Sequence, residues 1–454
     1  MSGALVLTLL AAGAGGMMAS CSSDSDVIAG ADGPDAAHTD ASAAPDVAEL
    51  HDGGGVIDAG PSRPDAATSD AGPRPVVCAS ASCATSLVTT LGLHDREGYC
   101  ALLHDGTVAC WGQNQDGQLG RGEAGYGVAN SAIATRVEGL SNVVALDHTC
   151  AIDEDGATWC WGKGPFLRST SSFTNEHTPV KLPIPPATRV AVHNSPLGFF
   201  LDTGVACAAV DDGLLCWGRN GFGQIAPFDR PPGNELLAPQ PVAIPQGAKI
   251  RSIHLGMASF LLREDGTLLS WGMNPTIGRV SSLFPDPYPR AVALTGVSSV
   301  DVLEGAACAV AEGIAYCWRA PAEPMFIIDG DPVPEESFIE HALPERIPTP
   351  EPVVQISTTS RTNARGCATG VSGDVYCWGK NTNGVLGDGT TKDAPLPVKV
   401  VGLPGPAVEV RTLDTSTCAL LTTGKVHCWG GDRFGQLGGG HKNPTLVPRE
   451  VVLP

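Results

Sequence analysis

The sequence predicts an all-β protein in which seven repeated units close into a β-propeller. A tryptophan recurs seven times at intervals of 47 to 60 residues, and a pair of cysteines flanks a short hairpin just before six of these tryptophans. Repetition at a period of about 50 residues, with about four short strands per unit, is typical of propeller blades. The tryptophans that mark the units are Trp111, Trp161, Trp217, Trp271, Trp318, Trp378 and Trp429.

The repeated unit is clearest in its first and last copies. The first reads CALLHDGTVACWGQNQDGQLG from Cys100, and the last reads TCALLTTGKVHCWGGDRFGQLG from Thr417. An apolar strand such as 143–146 precedes the hairpin, and a Pro-x-x-Val segment precedes that strand. The segment 448–452 resembles such an opening strand but ends the chain. We therefore expect it to complete the first blade and close the ring, which also removes exposed sheet edges.

The cysteine spacing predicts cross-strand disulfides. A three-residue loop places Cys100 opposite Cys110, and the two-residue loop 312–313 places Cys308 opposite Cys317. Opposed residues of antiparallel strands lie about 4.5–5.5 Å apart at Cα, within disulfide range. Zinc sites, the alternative, use closer Cys-x₂₋₄-Cys pairs. The predicted pairs are Cys78/Cys83, Cys100/Cys110, Cys150/Cys160, Cys207/Cys216, Cys308/Cys317, Cys367/Cys377 and Cys418/Cys428.

The fourth unit lacks both cysteines, and Phe260 and Ser270 occupy their positions. Losing both members together is what a bridge predicts. Because disulfides of this kind form in oxidising compartments, the pattern argues against a cytosolic protein.

The first 21 residues predict a signal peptide with a lipidation site. The apolar run 4–18 is too short for a transmembrane helix. It leads into Met18-Ala19-Ser20-Cys21, which resembles a bacterial lipobox, although no Lys or Arg precedes Cys21. We expect Cys21, the unpaired cysteine, to carry lipid and to hold an exported protein at the outer membrane or cell surface. Cleavage near Ala19 and secretion is the alternative.

Residues 22–77 predict a disordered linker, and residues 78–454 the propeller. The linker contains no aromatic residue and 11 acidic against 2 basic side chains, so it cannot bury enough apolar surface to fold. As a flexible coil its ends lie roughly 40 Å apart. The net charge of the whole chain is −20, which argues against nucleic-acid binding. We expect a monomer.

The repeat text resembles the regulator-of-chromosome-condensation family over residues 87–454. The motif Thr-Cys-Ala-Leu, Asp-Gly-x-Val-x-Cys-Trp-Gly and Gly-Gln-Leu-Gly carries the resemblance, which is strongest in copies one, six and seven. Copies two, four and five depart from it after the tryptophan, reading GKGPFLR, GMNPTIG and RAPAEP. The resemblance implies a seven-bladed propeller that binds proteins rather than catalyses a reaction. A secreted member clamps β-lactamases with exposed aromatic residues, so an enzyme-inhibitor role is an alternative.

The insertions that depart from the family supply the candidate contact residues for an unknown protein partner. These are Phe166, Phe228, Phe284, Tyr288, Met325, Phe326 and Phe338. The competing function is an exported polysaccharide enzyme that uses carboxylates at the mouth of the ring. No nucleophile elbow, phosphate loop or metalloprotease motif occurs, so we predict no catalytic residue, metal or cofactor. His94, His148 and His254 fall where loops could face a central channel, and a metal cluster there is an alternative.

Overall fold

The chain folds into seven four-stranded antiparallel sheets, each formed by strands consecutive in sequence. The first strands of neighbouring blades contact one another in every adjacent pair, including the seventh with the first, so they surround a central axis. The fold is a seven-bladed β-propeller, as predicted. The computed structural model describes residues 74–90, 97–125, 130–170, 172–194, 196–197, 201–202, 204–227, 236–303, 305–319, 343–359 and 365–454.

Each blade is a meander from an inner to an outer strand. The first, innermost strands are Ala84–Thr89, Val143–Asp147, Arg189–His193, Ile250–Leu255, Val297–Leu303, Val353–Thr358 and Ala407–Thr412. The second strands are Gly98–Leu103, Cys150–Asp153, Val205–Val210, Ala258–Arg263, Ala306–Ala311, Arg365–Gly370 and Ser416–Leu421. The third strands are Val108–Gly112, Thr158–Gly164, Gly213–Arg219, Leu268–Gly272, Ile314–Arg319, Val375–Gly379 and Val426–Gly430. The fourth, outer strands are Ser131–Arg136, Thr174–Lys181, Leu236–Val242, Asp286–Ala291, Glu345–Ile347, Ala394–Lys399 and Thr445–Glu450.

Two short elements lie outside the meanders. A two-residue pair joins Pro196–Leu197 to Leu201–Asp202, and a 3-10 turn spans Thr382–Gly384. Among the described residues, no helix has the length and apolar character needed to cross a membrane.

The prediction for the end of the chain is wrong. Strand Thr445–Glu450 pairs with Val426–Gly430 as the outer strand of the seventh blade, and the first blade already has four strands of its own. The Pro-x-x-Val segment therefore ends a unit rather than opening one. An outer strand tolerates proline because one of its edges has no ladder hydrogen bonds to lose.

All seven predicted disulfides are present in the structure. Cys78 bonds to Cys83 just before the first blade. The six cross-strand bridges join directly paired residues with Cα atoms 4.0–4.1 Å apart. These bridges are Cys100–Cys110, Cys150–Cys160, Cys207–Cys216, Cys308–Cys317, Cys367–Cys377 and Cys418–Cys428.

The hairpin loops keep the cysteines opposite each other because their residues adopt the required backbone. Gly106 has φ 75° in the longer loop, and Glu312 and Gly313 have φ 51° and 76° in the two-residue loop. The strand register is therefore the same in both kinds of hairpin.

Seven apolar clusters hold the ring together, and each lies between two blades. Six clusters combine the disulfide face of one blade with the tryptophan of the next. In the fourth blade Phe260 takes the place of the bridge and packs edge-on against Trp318, with ring centroids 5.7 Å apart. The two faces of each blade are therefore covered by sulfur or aromatic groups as predicted.

The tryptophans also hydrogen-bond across the blade boundaries. Six indole N–H groups donate to backbone carbonyls in the preceding blade at 2.6–3.0 Å, and the seventh tryptophan, Trp378, packs in the cluster that contains Cys308. The six pairs are Trp111 with Gln436, Trp161 with Gln118, Trp217 with Pro165, Trp271 with Gln224, Trp318 with Thr276 and Trp429 with Val385.

Residues 74–83, which we call the strap, precede the first blade and run along the hairpin turns of blades 6, 7 and 1. Arg74 donates to the carbonyl of Val371 in the hairpin turn of blade 6, and the Val77 amide donates to Thr422 in that of blade 7. The carbonyl of Cys83 accepts from the His104 amide in the hairpin turn of blade 1. The described chain thus begins four residues before the predicted domain boundary at Cys78. The predicted signal peptide and Cys21 lie outside the described residues.

Candidate functional site

The meander sorts the connections of the propeller to two opposite faces. First and third strands run in the same direction, so the loops that follow them leave from one end, which we call the loop face. The cysteine hairpin turns and the links between blades leave from the other end, which we call the hairpin face. The divergent segments after the tryptophans therefore start on the loop face, whereas the strap contacts the hairpin face.

An exposed apolar patch lies on the long loop of blade 4 and the strand that follows it. Phe284 is 61% exposed and Tyr288 46%, and Val280 and Leu283 beside them are 68% and 40% exposed. We call these four residues the blade-4 patch. Sequence reasoning identified its two aromatic members and missed Val280 and Leu283, because an isolated aliphatic residue in a loop carries no distinguishing signal.

A buried ion pair fixes the loop beneath this patch. Arg279 Nη1 lies 2.7 Å from Asp286 Oδ2, and the two side chains are only 9% and 1% exposed. Arg279 also donates to the carbonyls of Ser270 and Tyr288 at 3.0 Å. Ser281 Oγ donates to Asp286 at 2.7 Å. The loop therefore holds its apolar side chains in solvent without depending on a partner to order them.

The charge of Asp286 depends on the same contacts. Burial acts to raise the pKa of Asp286, but the hydrogen bonds from Arg279 and Ser281 outweigh it and hold that pKa below its ordinary value. The carboxylate is therefore ionised at neutral pH and keeps the guanidinium of Arg279 in place.

The other predicted contact residues do not join this patch. Phe166 is 1% exposed and packs in the cluster formed by the Cys150–Cys160 bridge and Trp217. It is a core residue rather than a contact residue, because its ring fills the space between blades 2 and 3. The remaining four predicted contacts, which are Phe228, Met325, Phe326 and Phe338, lie outside the described residues.

The cysteines of the six cross-strand bridges belong to the core rather than to either face of the ring. Cys216 is 0% exposed and packs in the cluster that contains Trp271. Cys428 is likewise 0% exposed and packs in the cluster that contains Trp111. Although the sequence singles out Cys216 and Cys428 as site residues, their sulfur atoms are inaccessible to a ligand or partner. Their role is therefore structural, as bridge and packing residues between blades.

A ring of equivalent positions surrounds the channel, and sequence reasoning did not assemble it. One residue of each inner strand pairs with the first cysteine position of its blade. These residues are Val88, Asp147, Ala191, His254, Asp301, Ser357 and Arg411. All but Ala191 line a cavity of about 70 Å³ at the end of the channel that belongs to the loop face.

Arg411 organises the charged groups of this ring. It pairs with Glu409 on its own strand and lies 3.5 Å from Asp301 on blade 5. Its Nε donates to the carbonyl of Leu87 at 3.0 Å. Asp301 in turn accepts from the Ser357 hydroxyl at 2.9 Å. Burial acts to lower the pKa of Arg411, but Glu409 and Asp301 outweigh it and raise that pKa.

Two of the three histidines considered from the sequence do line the channel mouth. His148 Nδ1 lies 2.9 Å from the carbonyl of Thr89, and His254 Nε2 lies 2.9 Å from Ser252 Oγ. Burial lowers the pKa of His254 to about 4, so this ring is neutral at neutral pH. Within the described residues no group of three or more His, Cys, Asp or Glu side chains could hold a metal ion. His94 lies outside those residues.

Comparison with known proteins agrees with the repeat. The regulator of chromosome condensation (RCC1) repeat family matches residues 372–420, and a second RCC1 repeat description matches 414–436. Residues 372–436 thus match RCC1 repeats. The matched residues lie within the sixth and seventh blades, which are among the copies that resemble the family most closely.

Two relatives extend the similarity beyond those blades. The ultraviolet-B receptor UVR8 of Arabidopsis thaliana is 25% identical over 394 residues, which cover 84% of this chain and 71% of the receptor. The human E3 ubiquitin-protein ligase HERC2 is 26% identical over 362 residues, which are 72% of this chain but only 7% of HERC2. The ligase activity in that name belongs to a far longer protein.

Two solved structures share the fold of this propeller. Prp20p of Saccharomyces cerevisiae, studied for its binding to Gsp1p and histones, superposes with a TM-score of 0.58 at 20% identity and covers 76% of this chain and 85% of its own. Human WBSCR16 superposes with a TM-score of 0.55 at 17% identity, covering 77% and 94%. At this identity the likeness concerns the fold alone.

Proposed function

We propose that this RCC1-repeat protein is an interaction scaffold of the cell envelope that binds a protein partner through its loop face. The blade-4 patch is the observation that carries the proposal. Three apolar side chains of one loop and Tyr288 of the strand after it are each 40–68% accessible, and such side chains are costly to keep in water. The buried Arg279–Asp286 pair holds them there, and preorganised apolar anchors of this kind are what protein interfaces use.

The strap supports an orientation for the scaffold. The first described residues lie on the hairpin face, where Arg74 and Val77 hydrogen-bond to the turns of blades 6 and 7. A lipid at Cys21 would therefore be joined to the propeller through this face and leave the loop face accessible to a partner. The disulfides favour an oxidising compartment, which suits an exported protein.

Affinity capture from envelope extract tests partner binding. The wild-type chain is compared with the double variant Leu283→Ser, Phe284→Ser and with a matched control, Leu396→Ser, which removes a leucine 61% exposed on the outer strand of blade 6. We expect the double variant to lose the captured partner at least tenfold and the control to retain it. A photo-crosslinker at position 288 identifies the partner by mass spectrometry. Equal capture by all three proteins would refute the role of the patch.

Metabolic labelling tests the anchor. Radioactive palmitate should label the wild-type chain but not Cys21→Ala, which should leave the membrane fraction. An unlabelled wild-type chain in the medium would favour the secreted alternative.

The two other proposed functions have different consequences. An inhibitor would suppress the activity of the captured partner, which an assay of that enzyme measures directly. A polysaccharide enzyme needs a site for sugar rings beside its carboxylates. The channel mouth places Asp147 and Asp301 around a cavity of only about 70 Å³, whereas ligand pockets usually span about 300–1,000 Å³. This geometry favours the scaffold over the enzyme.

A further inference from the structure

The channel mouth is a small cavity in which polar groups lie beside apolar side chains. The apolar residues include Val192, Ile253, Leu255, Val302 and Leu413, contributed by three inner strands and the loop after a fourth. The cavity of about 70 Å³ admits a ligand of only a few heavy atoms. Polar groups in fixed positions can orient such a ligand, and the apolar side chains can pack against its carbon atoms.

The charges around this cavity select against anions. Among the described residues that line the cavity, Asp147 and Asp301 supply carboxylates and Arg411 supplies the guanidinium, which also pairs with Glu409. His254 adds no positive charge at neutral pH because burial lowers its pKa to about 4. With these groups ionised the ring carries two negative charges in excess, and its low-dielectric walls strengthen their attraction for a cation.

Asp147 is the group with acceptor capacity to spare. Within the described residues its carboxylate accepts one hydrogen bond, from the Val192 amide at 3.2 Å, although an ionised carboxylate has about four acceptor sites. Asp301 is better satisfied, because Ser357, Thr358 and Arg411 all contact it. Burial raises the pKa of Asp147, so a cation beside the carboxylate would favour its ionised form.

These features define the chemistry of a ligand. A metal ion lacks enough ligands here, since no group of three candidate side chains occurs within the described residues. A sugar is too large, and an anion meets the wrong charge. A primary ammonium on a short aliphatic chain fits, because it offers three N–H donors to the carboxylates and methylene groups to the apolar walls. We propose that the channel mouth binds a primary alkylammonium group, supplied either by a lysine side chain of a protein or by a free amine.

Calorimetric titration of the full chain with n-butylammonium chloride at constant ionic strength tests this site. We expect saturable one-to-one binding, at least tenfold weaker for n-butanol and undetectable for butyrate. Asp147→Asn should weaken butylammonium binding at least tenfold. Asp212→Asn, which removes the same charge from an exposed hairpin turn, should leave it unchanged. Absence of saturation, equal binding of butanol, or equal losses in both variants would overturn the proposal.

Two further measurements separate the sources and the proposals. A short lysine-containing peptide that binds more tightly than butylammonium indicates a protein side chain, whereas tighter binding of the free amine indicates a small molecule. The Leu283→Ser, Phe284→Ser variant should bind butylammonium like the wild type. The test of amine binding is therefore independent of the test of the blade-4 patch.

Discussion

The tryptophan of each repeat packs against the blade that precedes it in the ring. Trp429 is fully buried, packs on the Cys367–Cys377 bridge, and donates its indole N–H to the carbonyl of Val385 at 2.9 Å. One side chain thus supplies a large apolar area and donates to a buried carbonyl of the preceding blade. Six of the seven tryptophans combine these two roles, and Trp378 supplies the packing.

Trp429→Phe should lower the free energy of unfolding by about 2–3 kcal/mol, because it leaves a gap beside the disulfide and removes one of the two hydrogen bonds that the Val385 carbonyl accepts, the other coming from Thr417 Oγ1. Denaturant unfolding measures the change. Trp159→Phe is the control, since Trp159 is only partly buried and donates to Asp153 near the surface. Its cost should stay below about 1 kcal/mol. Equal losses would mean that the hydrogen bond between blades adds nothing.

His193 makes the stability of the propeller depend on acid. It is 5% exposed, its Nε2 has no hydrogen-bond partner within the described residues, and burial lowers its pKa to about 3. An unfolded histidine titrates near pH 6.5. As the pH falls below about 6.5, the unfolded chain therefore binds a proton that the folded chain does not.

We expect this histidine to reduce the free energy of unfolding by about 1.4 kcal/mol per pH unit below pH 6.5, until its folded pKa is reached. Above pH 6.5 this histidine is neutral in both the folded and the unfolded chain, so the loss of stability is absent. Denaturant unfolding between pH 7 and pH 5 should therefore show a shallower slope for His193→Gln than for the wild type. Parallel curves would show that His193 is protonated in the folded state.

The blade is the scale at which sequence reasoning succeeded. A hairpin whose loop length varies while its cysteines stay opposed defines the strand register. Cys207↔Cys216 pair across a two-residue turn and Cys418↔Cys428 across a three-residue one, as expected. The replacement at Phe260 and Ser270 is the loss of a bridge, and these residues do pair directly. Local geometry sufficed because both strands of each hairpin are adjacent in the chain.

The boundary between blades was harder to predict. In a periodic sequence any strand can be chosen as the start of the unit. The sequence alone therefore does not show which strand begins a blade. The segment 448–452 therefore looked like an opening strand, although it forms much of the outer edge of blade 7. The prediction that Phe166 contacts a partner was wrong for a related reason. A divergent loop can either protrude into solvent or pack between two blades, and this one packs.

The clamp of the blade-4 loop gives a prediction at this scale. Asp286→Ala should lower the free energy of unfolding by about 3–5 kcal/mol, because it leaves the Arg279 guanidinium buried without its partner. Asp393→Ala removes the partner of Lys380 from an exposed pair and should cost far less than Asp286→Ala. Thermal or denaturant unfolding compares the two. Similar costs would show that the buried pair adds little to the loop.

The whole ring closes without any strand shared between the chain ends. The first blade packs on the seventh through a cluster that contains Leu87, Tyr99 and Val408, with Val76 of the strap against it. Closure therefore depends on side chains at one junction, which we call the seam. Repeat counting predicted seven units and a closed ring, but not how the ends meet, because contacts across the seam join residues more than 300 positions apart.

The ring of residues around the channel was not predicted, because its members are far apart in the sequence. Asp147, Asp301 and Arg411 belong to different blades and meet only because the first strands converge on the axis. Each can be located in the sequence as the residue opposite the first cysteine of its blade, so the register contained a usable signal. The order of the blades in space was needed to see that these charges share one cavity.

Glu97 connects the two sides of the seam with a buried carboxylate. It is 3% exposed and accepts hydrogen bonds from the Thr415 amide, from Ser416 Oγ at 2.6 Å and from Gln436 Nε2 at 3.3 Å. Burial raises the pKa of Glu97 even though the hydrogen bonds from Ser416 and Thr415 act to lower it. Three donors of blade 7 thus depend on one side chain that precedes the second strand of blade 1.

Glu97→Ala should lower the free energy of unfolding by about 3 kcal/mol, because it removes three hydrogen bonds across the seam and leaves the Thr415 amide without its acceptor. The location of the damage is the sharper test. Hydrogen–deuterium exchange should rise in strands Ala84–Thr89 and Ala407–Thr412 and stay unchanged in Val297–Leu303 across the ring. Gln224→Ala, which removes an amide that bridges blades 3 and 4, should instead raise exchange in Ile250–Leu255. Uniform exchange in both variants would mean that the ring opens at every junction alike, with no seam.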